Sequence, residues 1–377
     1  MKIGILTLPF ILNYGGILLK YALQTVLKRE GFDPYVINLH YSPTTRMRFT
    51  ASLFKRWLLK NIFRKNIPPR IRPTKKEALI VGNNLIRFEK ENINLTKKFY
   101  KNIFKNTEEY AFDAFIVGSD QVWRPKYVPN LTSYFLDFLD GNNQVKKITY
   151  AASFGVDNWE FTAEETIRCS ALVKQFSAIS VREESAIELC KKYLNVEAIH
   201  ALDPTMLLKK EDYINLVEKD NIPVRDNILF SYILDGSDKK NNAIQKAIKE
   251  LKLHHISGMP SNSFAWKESK KDLSDCIYSP VTEWLSGFRD AKFVITDSFH
   301  GTMFSIIFNK PFVVFLNEHR GNARFSSILR LFNLEDRIIT SSDFNNKLFY
   351  LDYSEINKKL EKERDKSIAY LLNALNY

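Results

Sequence analysis

The sequence predicts an α/β protein built of two doubly wound lobes that face a central cleft. Three observations predict it. Short apolar, β-branched runs alternate with helical patterns along most of the chain, the signature of parallel sheets with crossover helices. The alternation stops in a polar, charged stretch at 209–226 and then restarts. Clusters of glycine, aspartate, arginine and histidine stand directly after strand-like runs, where open parallel sheets bind their ligands.

In chain order, residues 2–7 read as a strand and 17–30 as a helix closed by Gly31. Strands follow at 35–39, 114–117 and 148–152. The run 178–181 is a strand feeding a helix at 183–193, and 198–202 is a strand leading into Asp203-Pro204. The interdomain linker is placed at 209–226. Beyond it come a strand at 228–234, a helix at 241–251 and a strand at 254–257. Strands at 293–296 and 312–316 flank a helix at 302–308, with Pro311 at a strand start. Ser354 reads as the cap of a last helix, 355–376. The expected organisation is a first lobe over 1–215, a second over 216–350 and a C-terminal helix over 351–377.

The 377 residues suffice for two ordinary domains, each with its own core. No apolar run approaches the ~18–20 residues a membrane span needs. The start, Lys2 to Leu12, has the outline of a signal peptide. Asn13-Tyr14-Gly15-Gly16 and Lys20 follow with no small-residue cleavage site, so a first strand running into a glycine turn is the better reading. Cys169, Cys190 and Cys276 are odd in number and far apart, as reduced core thiols of a cytoplasmic protein would be. The histidines form no metal pattern: His254 and His255 are adjacent and would point to opposite faces of a strand.

The net charge is +12, and it is unevenly spread. From 34 to 76 there is no Asp or Glu, while Lys and Arg recur throughout 46–76. Such an excess points to an anionic partner: nucleic acid, a phosphorylated substrate or an anionic membrane surface. No nucleic-acid-binding module accompanies it, which sets nucleic acid aside. Within it, 51–65 places Phe54, Trp57, Leu58 and Ile62 on one helical face. That pattern suits either a helix packed on the first lobe or one lying in a membrane interface.

The densest polar cluster is Asp297-Ser298-Phe299-His300-Gly301-Thr302, where a buried strand meets a helix opening at about Gly301. Free N–H groups at that helix start suit a phosphate, Gly301 permits close backbone approach, and His300 at the rim can deliver a proton. Arg182, between a strand and a helix in the first lobe, offers a forked donor for phosphate or carboxylate, or else pairs with Glu183 or Glu184. Arg320 and Arg324 lie in another loop expected at the cleft. Asp120, Gln121 and Trp123 follow the strand 114–117 and combine acceptors, an amide and a flat apolar face, a set suited to sugars. Asn13, Tyr14, Gly15 and Gly16 form a turn that lacks the dinucleotide-binding glycine pattern.

These motifs, with Ser180-Val181-Arg182-Glu183 and Leu202-Asp203-Pro204-Thr205, occur in an order that resembles the polysaccharide pyruvyl transferase family over residues 2–339. The resemblance implies two Rossmann-like lobes similar to the two-domain glycosyltransferase fold. It implies transfer of the pyruvyl group of phosphoenolpyruvate to a sugar of a surface or capsular polysaccharide precursor, usually as a cyclic ketal. Phosphoenolpyruvate is then a co-substrate, and no cofactor or metal is called for. The family's active-site histidine maps to His300 and its phosphate-binding arginine to Arg182. Arg320, Arg324, Ser298, Gly301 and Thr302 are assigned to the donor, and Asn13–Gly16 with Asp120, Gln121 and Trp123 to the acceptor. Many members carry an arginine two residues before the histidine; this chain has Ser298 there. The acceptor is expected to be lipid-diphosphate-linked and met at the cytoplasmic membrane face, with 46–76 as the membrane contact. Two rivals stay open: a nucleotide-sugar-dependent glycosyltransferase and a non-catalytic sugar- or phosphate-binding protein.

Overall fold

A computed structural model describes residues 1–9, 12–40, 75–100, 109–261, 273–316, 321–342 and 344–376. The first lobe holds β1 (Lys2–Leu6), α1 (Tyr14–Arg29), β2 (Asp33–Val36), β3 (Leu39–His40), α2 (Lys75–Val81), α3 (Asn83–Asn92), β4 (Phe99–Tyr100), β5 (Ala114–Val117), β6 (Lys146–Thr149), α4 (Ala163–Val173), β7 (Ser180–Val181), α5 (Glu184–Leu189) and β8 (Ile199–His200). After α6 (Lys210–Lys219), the second lobe runs through β9 (Ile228–Tyr232), α7 (Asp238–Leu251), β10 (His254–Ser257), α8 (Val281–Asp290), β11 (Ala291–Thr296), α9 (Phe299–Ile307), β12 (Phe312–Val314) and α10 (Ala323–Phe332). The last element is α11 (Ser354–Asn376).

Each lobe centres on a four-stranded sheet, ordered β2-β1-β5-β6 in the first and β10-β9-β11-β12 in the second. All pairings are parallel. Both faces are covered, as the unbroken apolar runs predict. Ala114 and Ile116 face one core while Phe115 and Val117 face another. In the second sheet Val294 and Phe312 face the first of these cores, and Phe293 and Val313 a third. The lobes therefore share one apolar cluster, in which Ile3 and Ile5 of the first sheet join Phe230 and Val294 of the second.

Several elements depart from the sequence reading. Helix α1 begins at Tyr14, not 17, because the Asn13 side chain accepts the Gly15 N–H (3.0 Å) and caps it. The stretch expected as linker contains α6: Tyr213 and Val217 are buried at helical spacing, and the charges that suggested a linker are its other faces. Helix α9 opens at Phe299, before Gly301, with Ser298 as cap. The helix expected at 183–193 is α5 followed by a π-helical turn, Cys190–Leu194. Helix α11 runs back onto the first lobe. Tyr370 Oη donates to the Thr149 carbonyl (3.0 Å), Leu202 N–H to Ser367 Oγ (3.0 Å) and Arg364 Nε to the Met206 carbonyl (2.9 Å). Among the described residues, no helix is long and apolar enough to cross a membrane.

Candidate active site

The parallel strands bring their carboxyl ends, and the turns after them, to the junction of the lobes. His300 follows β11 and is the second residue of α9. It is only 5 % exposed, not at a rim, and its Nε2 is buried without a hydrogen-bond partner among the described residues. Its ring lies against the backbone of Gly15 from the other lobe. A Cβ on Gly15 would stand 2.1 Å from the His300 Cγ and Nδ1. Burial, together with Arg182 and Arg324, pulls the imidazole pKa down to about 4, against the opposing pull of Asp203 and Asp120. The resting imidazole is therefore neutral at physiological pH.

Arg182, expected as an open anion clamp, is held inside the protein. Its Nη1 donates to Asp203 Oδ2 (2.8 Å) and its Nη2 reaches Asp120 Oδ1 (3.4 Å). Both carboxyls are buried, the largest single influence and one that alone would raise their pKa values, but Arg182, His300 and the hydrogen bonds they accept together outweigh it and hold them below the usual range. The guanidiniums of Arg182 and Arg324 lie 4.9 and 5.2 Å from the centroid of one ring, Phe299. Burial and the neighbouring Arg182 push Arg324 down to about 10, so it stays charged at neutral pH.

Asp120 stands beyond β5 with φ +78°, a left-handed conformation that costs a non-glycine residue free energy and clusters at functional sites. Its Oδ1 accepts the Gln121 N–H (2.8 Å). It lines a small pocket with Thr7, Asn13, Gly16 and Lys20. Lys20 Nζ is tied to Glu89 Oε1 at 3.0 Å. Asn13, Gly16 and Asp120, three of the residues assigned to the acceptor, thus share one pocket.

Other assigned residues make contacts within the protein. Trp123 is fully buried, stacks on Phe135 at 4.9 Å and donates from Nε1 to the Tyr134 carbonyl (3.1 Å), so its flat face belongs to the core. Tyr14 is equally buried. It stacks on Trp284 at 5.0 Å across the lobe junction and donates from Oη to the Ser279 carbonyl (3.0 Å). Gln121 Oε1 accepts from Arg124 Nη1 (3.1 Å). The Ser298 hydroxyl accepts the Gly301 N–H (3.4 Å), and Thr302 Oγ1 donates to the Ser298 carbonyl (3.2 Å). A Cβ on Gly301 would meet Thr296 Oγ1 at 2.2 Å, so the fold itself calls for glycine there. Asp297 accepts the Leu234 and Asp235 N–H groups and pairs with Lys240 at 2.7 Å, fixing the loop after β9. Arg320 and 46–74 lie outside the described residues.

Two residues of the cluster were not assigned from sequence. Asp203 stands after a strand in the Leu202-Asp203-Pro204-Thr205 motif, with no role assigned to it. Glu183, one of the two alternative partners expected for Arg182, is fully buried, and its Oε1 accepts from Ser153 Oγ (2.9 Å) and Gly155 N (2.8 Å). Among the described residues, no group of His, Cys, Asp and Glu is arranged to hold a metal ion.

Two parallel-sheet lobes with polar side chains converging between them define an α/β protein of the two-lobed glycosyltransferase-B-like build. The UDP-GlcNAc 2-epimerase from Neisseria meningitidis, bound to UDP-GlcNAc, shares it. It matches with a TM-score of 0.50 over 100% of this chain and 99% of its own, at 10% identity. The UDP-GlcNAc 2-epimerase from Methanocaldococcus jannaschii aligns over 97% of this chain and 92% of its own at 13% identity, with a TM-score of 0.46. At such identities the likeness is one of fold alone. Among curated proteins none matches the sequence. The family model for polysaccharide pyruvyl transferase matches residues 13–319. The chain belongs to the polysaccharide pyruvyl transferase family and is a transferase.

Proposed function

We propose that the chain moves the pyruvyl group of phosphoenolpyruvate onto a sugar of a surface or capsular polysaccharide precursor, closing it as a cyclic ketal. The observation that carries the reading is the setting of His300. A buried imidazole with one nitrogen unpartnered among the described residues stands within electrostatic reach of two guanidiniums and two carboxylates. An enol phosphate needs those groups: a proton for C3, positive charge for its phosphate and carboxylate, and an acceptor for hydroxyl protons.

In this reading protonated His300 delivers its proton to C3, and C2 becomes oxocarbenium-like. One acceptor hydroxyl adds to C2 and gives up its proton. The C2–O bond to phosphate then breaks, and a second hydroxyl closes the ketal and gives up its own. One of the two released protons replaces the proton sent to C3, and the other leaves with phosphate. Asp120, in the pocket with Asn13 and Gly16, is the group assigned to the hydroxyl protons. Arg324 is assigned to the donor's anionic end, with Arg182 as its buried support. Because the resting imidazole is neutral, the donor itself must bring the proton in: its negative charges favour the imidazolium. The acceptor is read as lipid-diphosphate-linked, met at the cytoplasmic membrane face through the basic stretch 46–76.

Thermal-shift competition separates this from the nucleotide-sugar and non-catalytic readings. Phosphoenolpyruvate should raise the melting temperature and UDP-sugars should not. The reverse pattern supports the glycosyltransferase, and stabilisation by phosphoenolpyruvate without any turnover supports a binding protein.

A further inference from the structure

We propose that Gly15 is a positioning residue for His300: the first turn of α1, in the first lobe, completes the seat of an imidazole carried by the second lobe. The role of His300 as the acid rests on the reading above; the seat itself rests on geometry. The glycine pair in Asn13-Tyr14-Gly15-Gly16 is asymmetric. A Cβ on Gly15 would stand 2.1 Å from His300 Cγ and Nδ1 and 2.5 Å from Cδ2, all atoms of a ring whose burial leaves it little room to move. A Cβ on Gly16 meets nothing closer than Asn13 Nδ2 at 3.7 Å, an ordinary contact. Both glycines lie in the first turn of a helix, where alanine is otherwise the better residue. Gly15 therefore stands against helix propensity where the ring in front of it leaves no room for a Cβ.

The seat joins both lobes. Next to Gly15, Tyr14 stacks on Trp284 of α8, so the turn is anchored to the second lobe beside the imidazole it covers. The groups that face His300 electrostatically are Asp203, Asp120 and Arg182 of the first lobe and Arg324 of the second. An intruding methyl at 15 pushes the ring out of this setting. It leaves the imidazole present but misplaced, unlike removal of the ring.

A double-mutant cycle with histidine titration by NMR tests this without substrate, so its outcome is independent of which group the enzyme transfers. Gly15→Ala should lower the melting temperature of the otherwise wild-type chain and lower it far less in a His300→Ala background, where the ring is gone. Where Gly15→Ala folds, the His300 resonance should titrate higher than in wild type, towards the ordinary histidine range, while Gly16→Ala leaves it in place. If Gly15→Ala does not fold, recovery of folding in Gly15→Ala/His300→Ala supports the seat. An equal penalty in both backgrounds, or an unmoved His300 titration in a folded Gly15→Ala, overturns it.

Discussion

Arg182 Nη1 and Asp203 Oδ2 meet at 2.8 Å with both side chains 1 % exposed. The pair joins the turn after β7 to the turn after β8 and lies beside the ring of Phe299 from the other lobe. An arginine so enclosed cannot lose its carboxylate cheaply. Asp203→Asn should destabilise the fold by about 3–5 kcal/mol, the usual cost of stranding a buried charge. Arg182→Ala should do comparable harm by stranding two carboxylates. Urea denaturation measures both, and a wild-type midpoint for Arg182→Ala would show that the arginine is a loose ligand clamp instead.

Arg324 is the arginine assigned to the donor. Arg324→Ala should weaken phosphoenolpyruvate binding by roughly 1.5–3 kcal/mol, as for a lost charged hydrogen-bond partner. Calorimetric titration gives the number; an unchanged affinity removes Arg324 from the donor site.

Stability should fall on mild acidification. The folded-state pKa of His300, about 4, lies below its ordinary 6.5, so the unfolded chain binds more protons between those values. The contribution is complete above about pH 6.5 and is lost as pH falls towards about 4. Burial depresses His200 in the same direction. His300→Ala should therefore lose less stability than wild type between pH 7 and 5, measured by urea midpoints at each pH. Parallel losses in the two proteins would mean that His300 is not held neutral.

What the sequence made legible was the set of elements with strong local patterning. The run 114–117 is a strand to the residue because it is apolar throughout and bounded by Asp113 and Gly118. The meeting of β11 with a helix at His300 was legible for the same reason. Helices with mixed surfaces were missed or misread: α6 hid its Tyr213–Val217 stripe among charges. Helix α4 was missed despite a readable signal, the capping box of Thr162 and Glu165. At the candidate site, residue types singled out positions that the fold brings to the lobe junction, but not the contacts they make there. Trp123 looks like a flat face for a ligand until its ring is seen packed inside, as that of Tyr14 is. Arg182 looks like a clamp until Asp203, distant in sequence, is found paired with it. Those facts are tertiary, and no local pattern carries them.

The basic stretch 46–76 yields a prediction from sequence alone. It should give salt-sensitive binding to anionic vesicles, each Lys or Arg contributing about 1 kcal/mol near the surface. Co-sedimentation at low salt should lose the protein when Lys55, Arg56 and Lys60 are all replaced by glutamate. Equal sedimentation of both proteins, or of neither, rules the contact out.

The most direct measurement is mass spectrometry of lipid-diphosphate-linked glycans incubated with phosphoenolpyruvate and either wild-type enzyme or His300→Ala. The account predicts a wild-type product heavier by pyruvic acid less one water, with stoichiometric phosphate release. It predicts that His300→Ala forms this product ~10²–10⁴-fold more slowly, as for loss of a positioned general acid. A His300→Ala rate above half that of wild type contradicts the assignment of the acid. Glycans that gain a sugar from added nucleotide-sugars, and nothing from phosphoenolpyruvate, contradict the transfer itself.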